Sequence, residues 1–223
     1  MKIGLISDIH SNLIALEKVL EKLNACDEIY CAGDIVGYYP FPNEVVEICI
    51  KEEIKSVIGN HDKAVAESDF SGMNPVARVA GEFTRKIMEK ENIEWLANLP
   101  ISIETEYFSI YHGMPSDDES AYSVYIFPGD PLIETFLENS DRNIVVGHTH
   151  IQFIEEYNGR AFINPGSVGQ PRDGDPRAAY AVLDTETGKI RLERVEYDIE
   201  EVCEAVQKAE LPEALCSRLF EGH

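Results

Sequence analysis

The sequence predicts an α/β fold in which two packed β-sheets carry helices on their outer faces. In the first sixty residues, short β-rich runs alternate with helical patterns, which is typical of βαβ units and a parallel sheet. The second half is rich in strand patterns joined by short turns. A length of 223 residues, 44% of them hydrophobic, suffices for a sizeable core.

The elements of the first sixty residues follow in order. A buried apolar run over 3–6 predicts the first strand, and leucines spaced by three and four after Ser11–Asn12 predict a helix with a polar N-cap. A second strand is predicted over 28–32, a second helix after Pro42 and a third strand over 56–58.

The rest of the chain is predicted as one long helix followed mainly by strands. The helix runs from 75 to 99, and its core face consists of Val76, Val79, Phe83 and Ile87. Later strands are predicted over 101–111, 144–146, 151–157, 160–163, 178–183 and 190–197, with a helix near Pro131 and a helical tail from Ile199. Because no internal repeat or low-complexity linker interrupts the chain, we expect a single domain over 1–223.

Charge restricts the partners of this protein. It has 41 Asp and Glu against 19 Lys and Arg, a formal net charge of −22. A protein that follows the phosphates of a long nucleic acid needs a basic surface, and so does one that binds an anionic membrane. We therefore expect neither as a partner and favour a small substrate.

The cysteines and the N-terminus predict a cytoplasmic location. The five cysteines form no CxxC pair, so they suggest neither a disulfide framework nor a thiolate zinc site. The apolar run before Ser7 is too short for a signal peptide, and no later stretch approaches the length of a membrane span. Homo-oligomerisation stays open.

Histidines and acids accumulate where predicted strands end. Five of the six histidines lie at the downstream end of a strand or in the loop after it, the edge at which open α/β sheets bind ligands. Any one of them alone is as well explained as a surface or capping residue. The run Gly59-Asn60-His61-Asp62, however, would arise by chance in roughly one chain in a thousand of this composition.

The chemistry of this set points to metal binding. It offers three oxygen donors, Asp8, Asp34 and Asn60, and the imidazoles of His10, His61, His112, His148 and His150. Mixed oxygen and nitrogen ligation suits Mn, Fe, Zn, Co or Ni better than Ca or a dedicated Mg site. Eight groups are too many for one ion with an open position and fit two ions that share a ligand.

In this order, the blocks resemble the signature of calcineurin-like metallophosphoesterases. The blocks are Asp8-x-His10, Gly33-Asp34, Gly59-Asn60-His61-Asp62, His112 and Gly147-His148-x-His150. The run 164–167, Asn-Pro-Gly-Ser, followed by Arg172, further resembles small prokaryotic members related to phosphodiesterases and diadenosine tetraphosphatases. This resemblance gives the predicted fold its name, an α/β/β/α sandwich, and makes 66–100 and 113–140 insertions that shape the substrate pocket.

The resemblance also implies how the metals are held. One divalent ion would be bound by Asp8, His10, Asp34 and His150, and a second by Asp34, Asn60, His112 and His148. Manganese is the expected metal, with Fe, Zn, Ni, Co or Mg as alternatives. The implied reaction is hydrolysis of a phosphodiester or nucleotide by a hydroxide that bridges the two ions.

Other residues are expected to act on the substrate. His61 would stabilise the transition state or protonate the leaving oxygen, with Asp62 orienting its imidazole; alternatively, these residues only cap backbone amides. Asn12, Tyr38 and Arg172 are candidates for substrate contact. Each also has a structural alternative: Asn12 as a helix cap, Tyr38 with its neighbour Tyr39 as packing, and Arg172 as the partner of an acid.

Two alternative functions remain at this stage. One is a nuclease that acts on short nucleic acid, and the other is a non-catalytic, metal-stabilised scaffold on the same fold. Loss of a ligand would favour the scaffold, and this chain retains every ligand of the signature.

Overall fold

The computed structural model describes residues 1–116, 118 and 121–223. Its strands are β1 (Lys2–Ile6), β2 (Glu28–Cys31), β3 (Lys55–Ser56), β4 (Ser102–Glu104), β5 (Phe108–Tyr111), β6 (Asn143–Val145), β7 (Gln152–Tyr157), β8 (Arg160–Pro165), β9 (Ala178–Asp184) and β10 (Lys189–Val195). Its helices are α1 (Leu13–Leu23), α2 (Pro42–Lys51), α3 (Asn60–Glu67), α4 (Pro75–Ile87), α5 (Lys90–Ala97), α6 (Leu132–Glu138), α7 (Ile199–Lys208) and α8 (Ala214–Glu221).

The strands form two mixed sheets of five strands each. In the first sheet the order is β10-β9-β1-β2-β3, with β1, β2 and β3 parallel and β9 antiparallel to both of its neighbours. In the second the order is β4-β5-β6-β8-β7, with β5, β6 and β8 parallel and the two edge strands antiparallel. The parallel strands of each sheet therefore end at a common edge.

The two sheets pack face to face, and helices cover their outer faces. Ile3 and Leu5, on one face of β1, belong to the same buried cluster as Phe108 and Ile110 of β5. The helix α1 buries its apolar stripe on the outside of the first sheet, and α6 does so on the second. This arrangement confirms the predicted four-layer α/β/β/α sandwich.

The predicted long helix over 75–99 was wrong in its continuity and in its core face. Met88 and Glu89 adopt extended backbone angles and separate α4 from α5. The buried face of α4 consists of small residues instead of the large apolar ones: Ala77, Ala80, Gly81 and Thr84. Of the residues predicted to be buried, Val79 is 46% exposed and Ile87 38%. Small side chains let α4 approach closely enough for Thr84 Oγ1 to donate a hydrogen bond to the Gly37 carbonyl at 2.9 Å.

The strand predictions were closer. The run over 101–111 is a hairpin of β4 and β5, and the other predicted strands match to within two residues at each end. None of the helices in the described part of the chain is long and apolar enough to cross a membrane.

Candidate metal centre

The predicted ligands meet at the carboxyl ends of the parallel strands of both sheets. Asp8 and His10 follow β1, Asp34 follows β2, Asn60 opens α3 after β3, His112 follows β5, and His148 and His150 follow β6. The acids and imidazoles are buried, with exposures of 5% or less, and Asn60 is partly buried. The edge between the sheets thus concentrates the donors, as the chain topology predicts.

The loops that carry these ligands have an unusual backbone. Asp8, His10, Asp34, His148 and His150 all have φ between +52° and +66°. Residues other than glycine rarely adopt this left-handed backbone conformation, which costs on the order of 1–3 kcal/mol per residue. The surrounding structure therefore holds these side chains in place against a local backbone preference.

At the first centre, His10 and His150 face each other with matching nitrogens. His150 Nδ1 lies 2.5 Å from the Gln170 carbonyl and His10 Nδ1 lies 3.3 Å from the Val36 carbonyl. Because a carbonyl only accepts hydrogen bonds, both Nδ1 atoms carry the proton and both Nε2 atoms carry a lone pair. The two Nε2 atoms are nevertheless only 3.0 Å apart. Two lone pairs directed at each other at this distance suit a pair of ligands of one metal ion.

The carboxylate of Asp8 completes this centre. Its Oδ2 accepts hydrogen bonds from Ser7 Oγ at 2.6 Å and from the His148 amide at 3.1 Å. Its Oδ1 is buried without a hydrogen-bond partner among the described residues, 3.2 Å from His150 Nε2. A buried carboxylate oxygen directed at an unprotonated imidazole nitrogen fits a ligand of a metal ion.

The second centre repeats this pattern. His112 Nδ1 donates to the Ala32 carbonyl at 2.7 Å, so its Nε2 is the ring nitrogen left for a metal, 3.1 Å from Asn60 Oδ1 and 3.3 Å from Asp34 Oδ2. His148 Nε2 lies 3.1 Å from the Ser123 carbonyl, which leaves Nδ1 of that imidazole as the donor for a metal.

Asp34 links the two centres. Its side chain belongs to a potential ligand group with His112 and His148, and its Oδ2 also lies 3.7 Å from His10 Nε2. A separate group contains Asp8, His10 and His150. The residues present therefore fit two divalent ions with mixed oxygen and nitrogen ligands.

The metal-free centre perturbs the ionisation of its groups. Burial lowers the pKa of His61 to about 4 and, together with His112, that of His148 to about 3. Burial opposes protonation of His112 too, but the Asp34 carboxylate outweighs it and raises the pKa of His112 to about 9. Burial and the charge of Asp34 raise the pKa of Asp62 to about 7. Most of the imidazoles are thus neutral at pH 7, as metal ligands must be.

Residues outside the signature hold the ligand loops. Ser167 Oγ donates to the Asp8 carbonyl at 2.7 Å, and Asn164 Nδ2 donates to the Gly147 carbonyl at 2.8 Å. Both belong to the Asn-Pro-Gly-Ser run. The sequence identified this run by its resemblance to relatives but did not predict that it holds the ligand loops. Ser7 was not anticipated, because its contact with Asp8 gives no spacing signal.

Two glycines let the loops pass close to the ligands. A Cβ on Gly59 would lie 2.1 Å from Asp34 Oδ1. Gly37, with φ of +135°, sits against the imidazoles of His61 and His10, where a Cβ would approach Nδ1 of His61 to 2.7 Å. Only glycine fits at either position.

The structure corrects the expected contact between His61 and Asp62. Asp62 accepts hydrogen bonds from the Val36 and Gly59 amides at 3.0 and 2.9 Å, the alternative considered for it, and it helps to begin α3. Among the described residues, Nδ1 of His61 has no hydrogen-bond partner. His61 also lies close enough to His10 and Asp34 to form a third potential ligand group.

Arg172 and Tyr38 lie together beside the first centre. Arg172 donates to the hydroxyl of Tyr38 at 3.2 Å and to Gln170 Oε1 at 2.9 Å, and it makes no ion pair within the described residues. The ring of Tyr38 packs 4.6 Å from that of His10 and 4.7 Å from that of His61. The acidic partner that the structural alternative gave to Arg172 is therefore not found in the described chain, and the charge of Arg172 stays available.

Two other candidates have structural roles. Asn12 is fully buried, accepts a hydrogen bond from the Ala15 amide as the N-cap of α1 and donates to the Gly169 carbonyl. This favours the capping interpretation over substrate contact. Tyr39 is fully buried, with its hydroxyl bonded to Leu215 and Gln170, so it packs as the alternative interpretation expected.

A buried, mixed-ligand centre at the shared edge of an α/β/β/α sandwich fits a metal-dependent phosphoesterase. The chain belongs to the calcineurin-like phosphoesterase superfamily, whose domain description matches residues 1–188. This confirms the resemblance drawn from the sequence blocks and indicates hydrolase chemistry.

Individual relatives extend over most of the chain. An uncharacterized protein of Methanocaldococcus jannaschii, MJ0912, is 40% identical and covers 99% of this chain and 98% of its own length. The crystal structure of a metallophosphoesterase from Sphaerobacter thermophilus superposes with a TM-score of 0.87 at 36% identity, covering 100% of this chain and 99% of that one. The phosphodiesterase YfcE of Escherichia coli is 27% identical over 83% of this chain and 89% of its own.

Proposed function

We propose that this protein is a two-metal phosphodiesterase that hydrolyses small phosphate esters or nucleotides. The observation that carries the proposal is a pair of neighbouring ligand groups, one of Asp8, His10 and His150 and the other of Asp34, His112 and His148, with Asp34 Oδ2 also 3.7 Å from His10 Nε2. The similarity to the phosphodiesterase YfcE supports the choice of a diester.

The bound ions would polarise the phosphoryl oxygens, offset developing charge and lower the pKa of a water. The chain itself holds their ligands in place through backbone carbonyls and hydroxyls. Only two of the ligand side chains, Asp8 and Asp34, are anionic, so a metal-loaded centre keeps net positive charge and attracts a phosphate.

Two side chains would act on the ester itself. Arg172, without an acidic partner in the described chain, would bind a non-bridging phosphate oxygen. His61, whose Nδ1 is unpaired among the described residues, would stabilise the transition state or transfer a proton to the leaving oxygen. Tyr38 contacts both His61 and Arg172 and positions them.

The size of the substrate follows from the charge. With a net charge of −22, the surface at large repels a polyanion, and only the centre itself would attract one phosphate. A small diester is therefore favoured over long nucleic acid.

Replacement of the shared ligand tests the proposal. Asp34→Asn should remove turnover of bis(p-nitrophenyl) phosphate and reduce the bound metal, while far-UV circular dichroism stays that of the unmodified protein. Asp141→Asn is the matched control, because that carboxylate is 79% exposed in the loop before β6. Unchanged turnover in Asp34→Asn would contradict the proposal, and metal binding without turnover in the unmodified protein would favour the scaffold.

A substrate panel tests the choice of a diester. We expect the aryl diester to be hydrolysed faster than p-nitrophenyl phosphate and than single-stranded DNA, with a dinucleoside polyphosphate and a cyclic nucleotide as further members. Faster cleavage of DNA would favour the nuclease, and faster cleavage of the monoester would contradict a diesterase.

A further inference from the structure

Two exposed aromatic rings continue outward from the second metal centre. The ring of Tyr125 stacks on the imidazole of His148, with centroids 3.8 Å apart and planes inclined by 17°. The ring of Phe127 stacks in turn on Tyr125 at 5.6 Å and 17°. Three nearly parallel rings therefore begin at a predicted metal ligand.

The segment that carries these rings is held firmly. Ile126 points the opposite way and is 3% exposed in the core beneath the second sheet, as expected for alternating side chains of an extended segment. The Ser123 carbonyl accepts a hydrogen bond from His148 Nε2 at 3.1 Å. Gly113, next to His112, lies so close to this segment that a Cβ there would come within 2.5 Å of the Tyr122 carbonyl. Tyr125 and Phe127 are thus fixed relative to both His112 and His148.

Both rings are open to solvent, unlike the centre beside them. Tyr125 is 45% exposed and Phe127 49%, whereas His148 is 5% exposed. Because Tyr125 lies between His148 and Phe127, the edge of Tyr125 and the outer face of Phe127 form the exposed surface of the stack, and a further planar ring can stack on such a face.

We propose that Tyr125 and Phe127 bind the planar aromatic group of the substrate, a nucleobase or an aryl ring, while its phosphate lies at the metal centre. This rests on the proposed function and deepens it, because it gives the ester an aromatic substituent close to phosphorus. Stacking tolerates every base, since each has a π face, so the subsite selects aromatic esters without reading base identity.

A pair of ligands that differ only in the base tests this subsite by binding. Adenosine 5′-monophosphate and ribose 5-phosphate share the sugar and the phosphate, and calorimetric titration into the manganese-loaded full chain gives the dissociation constant of each. We expect the nucleotide to bind about tenfold or more tightly, the size of base stacking on a protein ring. Equal affinity of the two ligands, with phenyl phosphate also binding no better than methyl phosphate, would overturn the proposal.

Phenyl phosphate and methyl phosphate separate the two sources of an aromatic ring. A preference for phenyl phosphate without one for the nucleotide would assign the subsite to aryl esters, and a preference for the nucleotide would assign it to nucleosides. Either result supports stacking.

Substitutions then locate the contact. Tyr125→Ala and Phe127→Ala should each reduce the ratio of the two dissociation constants severalfold, with ribose 5-phosphate binding changed less than twofold, and Tyr125→Phe should retain the ratio. Phe220→Ala is the matched control, because that ring is 55% exposed on α8. A ratio that survives both alanine variants would contradict the assignment. Since Phe127 contacts Tyr125 and not a predicted ligand, Phe127→Ala gives a valid answer even if Tyr125→Ala disturbs His148.

Turnover and binding measurements together distinguish the aromatic subsite from the phosphodiesterase activity. Turnover of bis(p-nitrophenyl) phosphate without any preference for aromatic ligands would retain the phosphodiesterase and exclude the subsite. A clear preference in binding without turnover of any ester would retain the subsite and exclude the phosphodiesterase.

Discussion

The contact between His10 and His150 shows why this buried site suits a cation. Each imidazole has its Nδ1 proton fixed by a backbone carbonyl, and the two free Nε2 atoms lie 3.0 Å apart. The Oδ1 of Asp8, which has no hydrogen-bond partner among the described residues, lies 3.2 Å from His150 Nε2. In a buried site these groups are costly without a cation and are good ligands with one.

Replacement of His61 distinguishes a catalytic role of this residue from a role as a metal ligand. We expect His61→Ala to lower kcat for the aryl diester by a factor of about 10² or more, the usual contribution of a positioned acid or base, while both metals stay bound. Elemental analysis of the purified variant, compared with the unmodified protein, gives the metal content. Loss of one metal equivalent would show that His61 is a ligand instead.

Arg172 tests the binding of the phosphate group. Removing a charged hydrogen-bond donor from an anionic oxygen costs about 1.5–3 kcal/mol, so Arg172→Ala should lower kcat/KM by a factor of about 10 to 150. Arg191→Ala, at an arginine that is 52% exposed on β10, is the control. Unchanged kcat/KM in Arg172→Ala would leave that guanidinium a purely structural role with Tyr38.

The ligands could be predicted from the sequence because local blocks at strand ends encode them. Asp8, Asp34 and His112 follow strands that the sequence pattern predicts, and the sheet topology then brings these residues together. Ser7 gave no spacing signal because it directly precedes Asp8, and Ser167 escaped prediction of its role because its contact with Asp8 depends on packing between distant segments. Tyr125 was missed for the same reason.

Among the elements, the start of α3 and the loop after β2 approach more closely than any side chain would permit. Gly59 stands at this contact, and a Cβ there would overlap the Asp34 carboxylate and its amide nitrogen at 2.1 and 2.3 Å. The same glycine donates its amide to Asp62, so the helix start and the shared ligand are fixed together.

Gly59→Ala should therefore damage both stability and metal binding. We expect the free energy of unfolding to fall by about 1–3 kcal/mol, as overpacking in a well-packed interior does, and metal affinity to fall with it. Urea unfolding and metal titration measure the two effects. Gly72→Ala is the control, since a Cβ on Gly72 meets nothing within 4 Å. A Gly59→Ala protein with unchanged metal affinity would contradict the close approach.

Periodicity alone misassigned α4, and the reason is physical. Its large apolar residues suggested a core face, but the helix buries Ala77, Ala80 and Gly81 because it lies close to the loop at Gly37 and to Phe70. Close packing between elements selects small residues, which a pattern of large hydrophobic residues does not reveal.

For the whole molecule, the buried imidazoles make the metal-free fold sensitive to acid. His10, His61, His148 and His150 have pKa values below the usual 6.5, so the unfolded chain binds more protons than the folded one as the pH falls below 6.5. With pKa values of about 4 and 3, His61 and His148 each cost about 2 kcal/mol between pH 7 and 5.

Two groups shift the balance the other way without reversing it. The raised pKa values of Asp62, about 7, and His112, about 9, mean that the folded state gains protons at these groups as the pH falls. Four imidazoles oppose these two, so stability should fall from pH 7 to 5. Urea unfolding of the metal-free protein at both values measures it, and an equal or higher midpoint at pH 5 would contradict the expected balance.

The overall charge of −22 and the positive charge of a metal-loaded centre act over different distances. The charge repels long polyanions over the surface, whereas a metal-loaded centre attracts a single phosphate within the cleft. The two-ion centre is therefore the claim on which substrate size, mechanism and the aromatic subsite all depend.

Anomalous diffraction from manganese-loaded crystals tests this claim most directly. We expect two peaks per chain on either side of the Asp34 carboxylate, one within reach of Asp8, His10 and His150, and the other within reach of Asn60, His112 and His148. A single peak, or peaks away from Asp34, would contradict the two-ion centre.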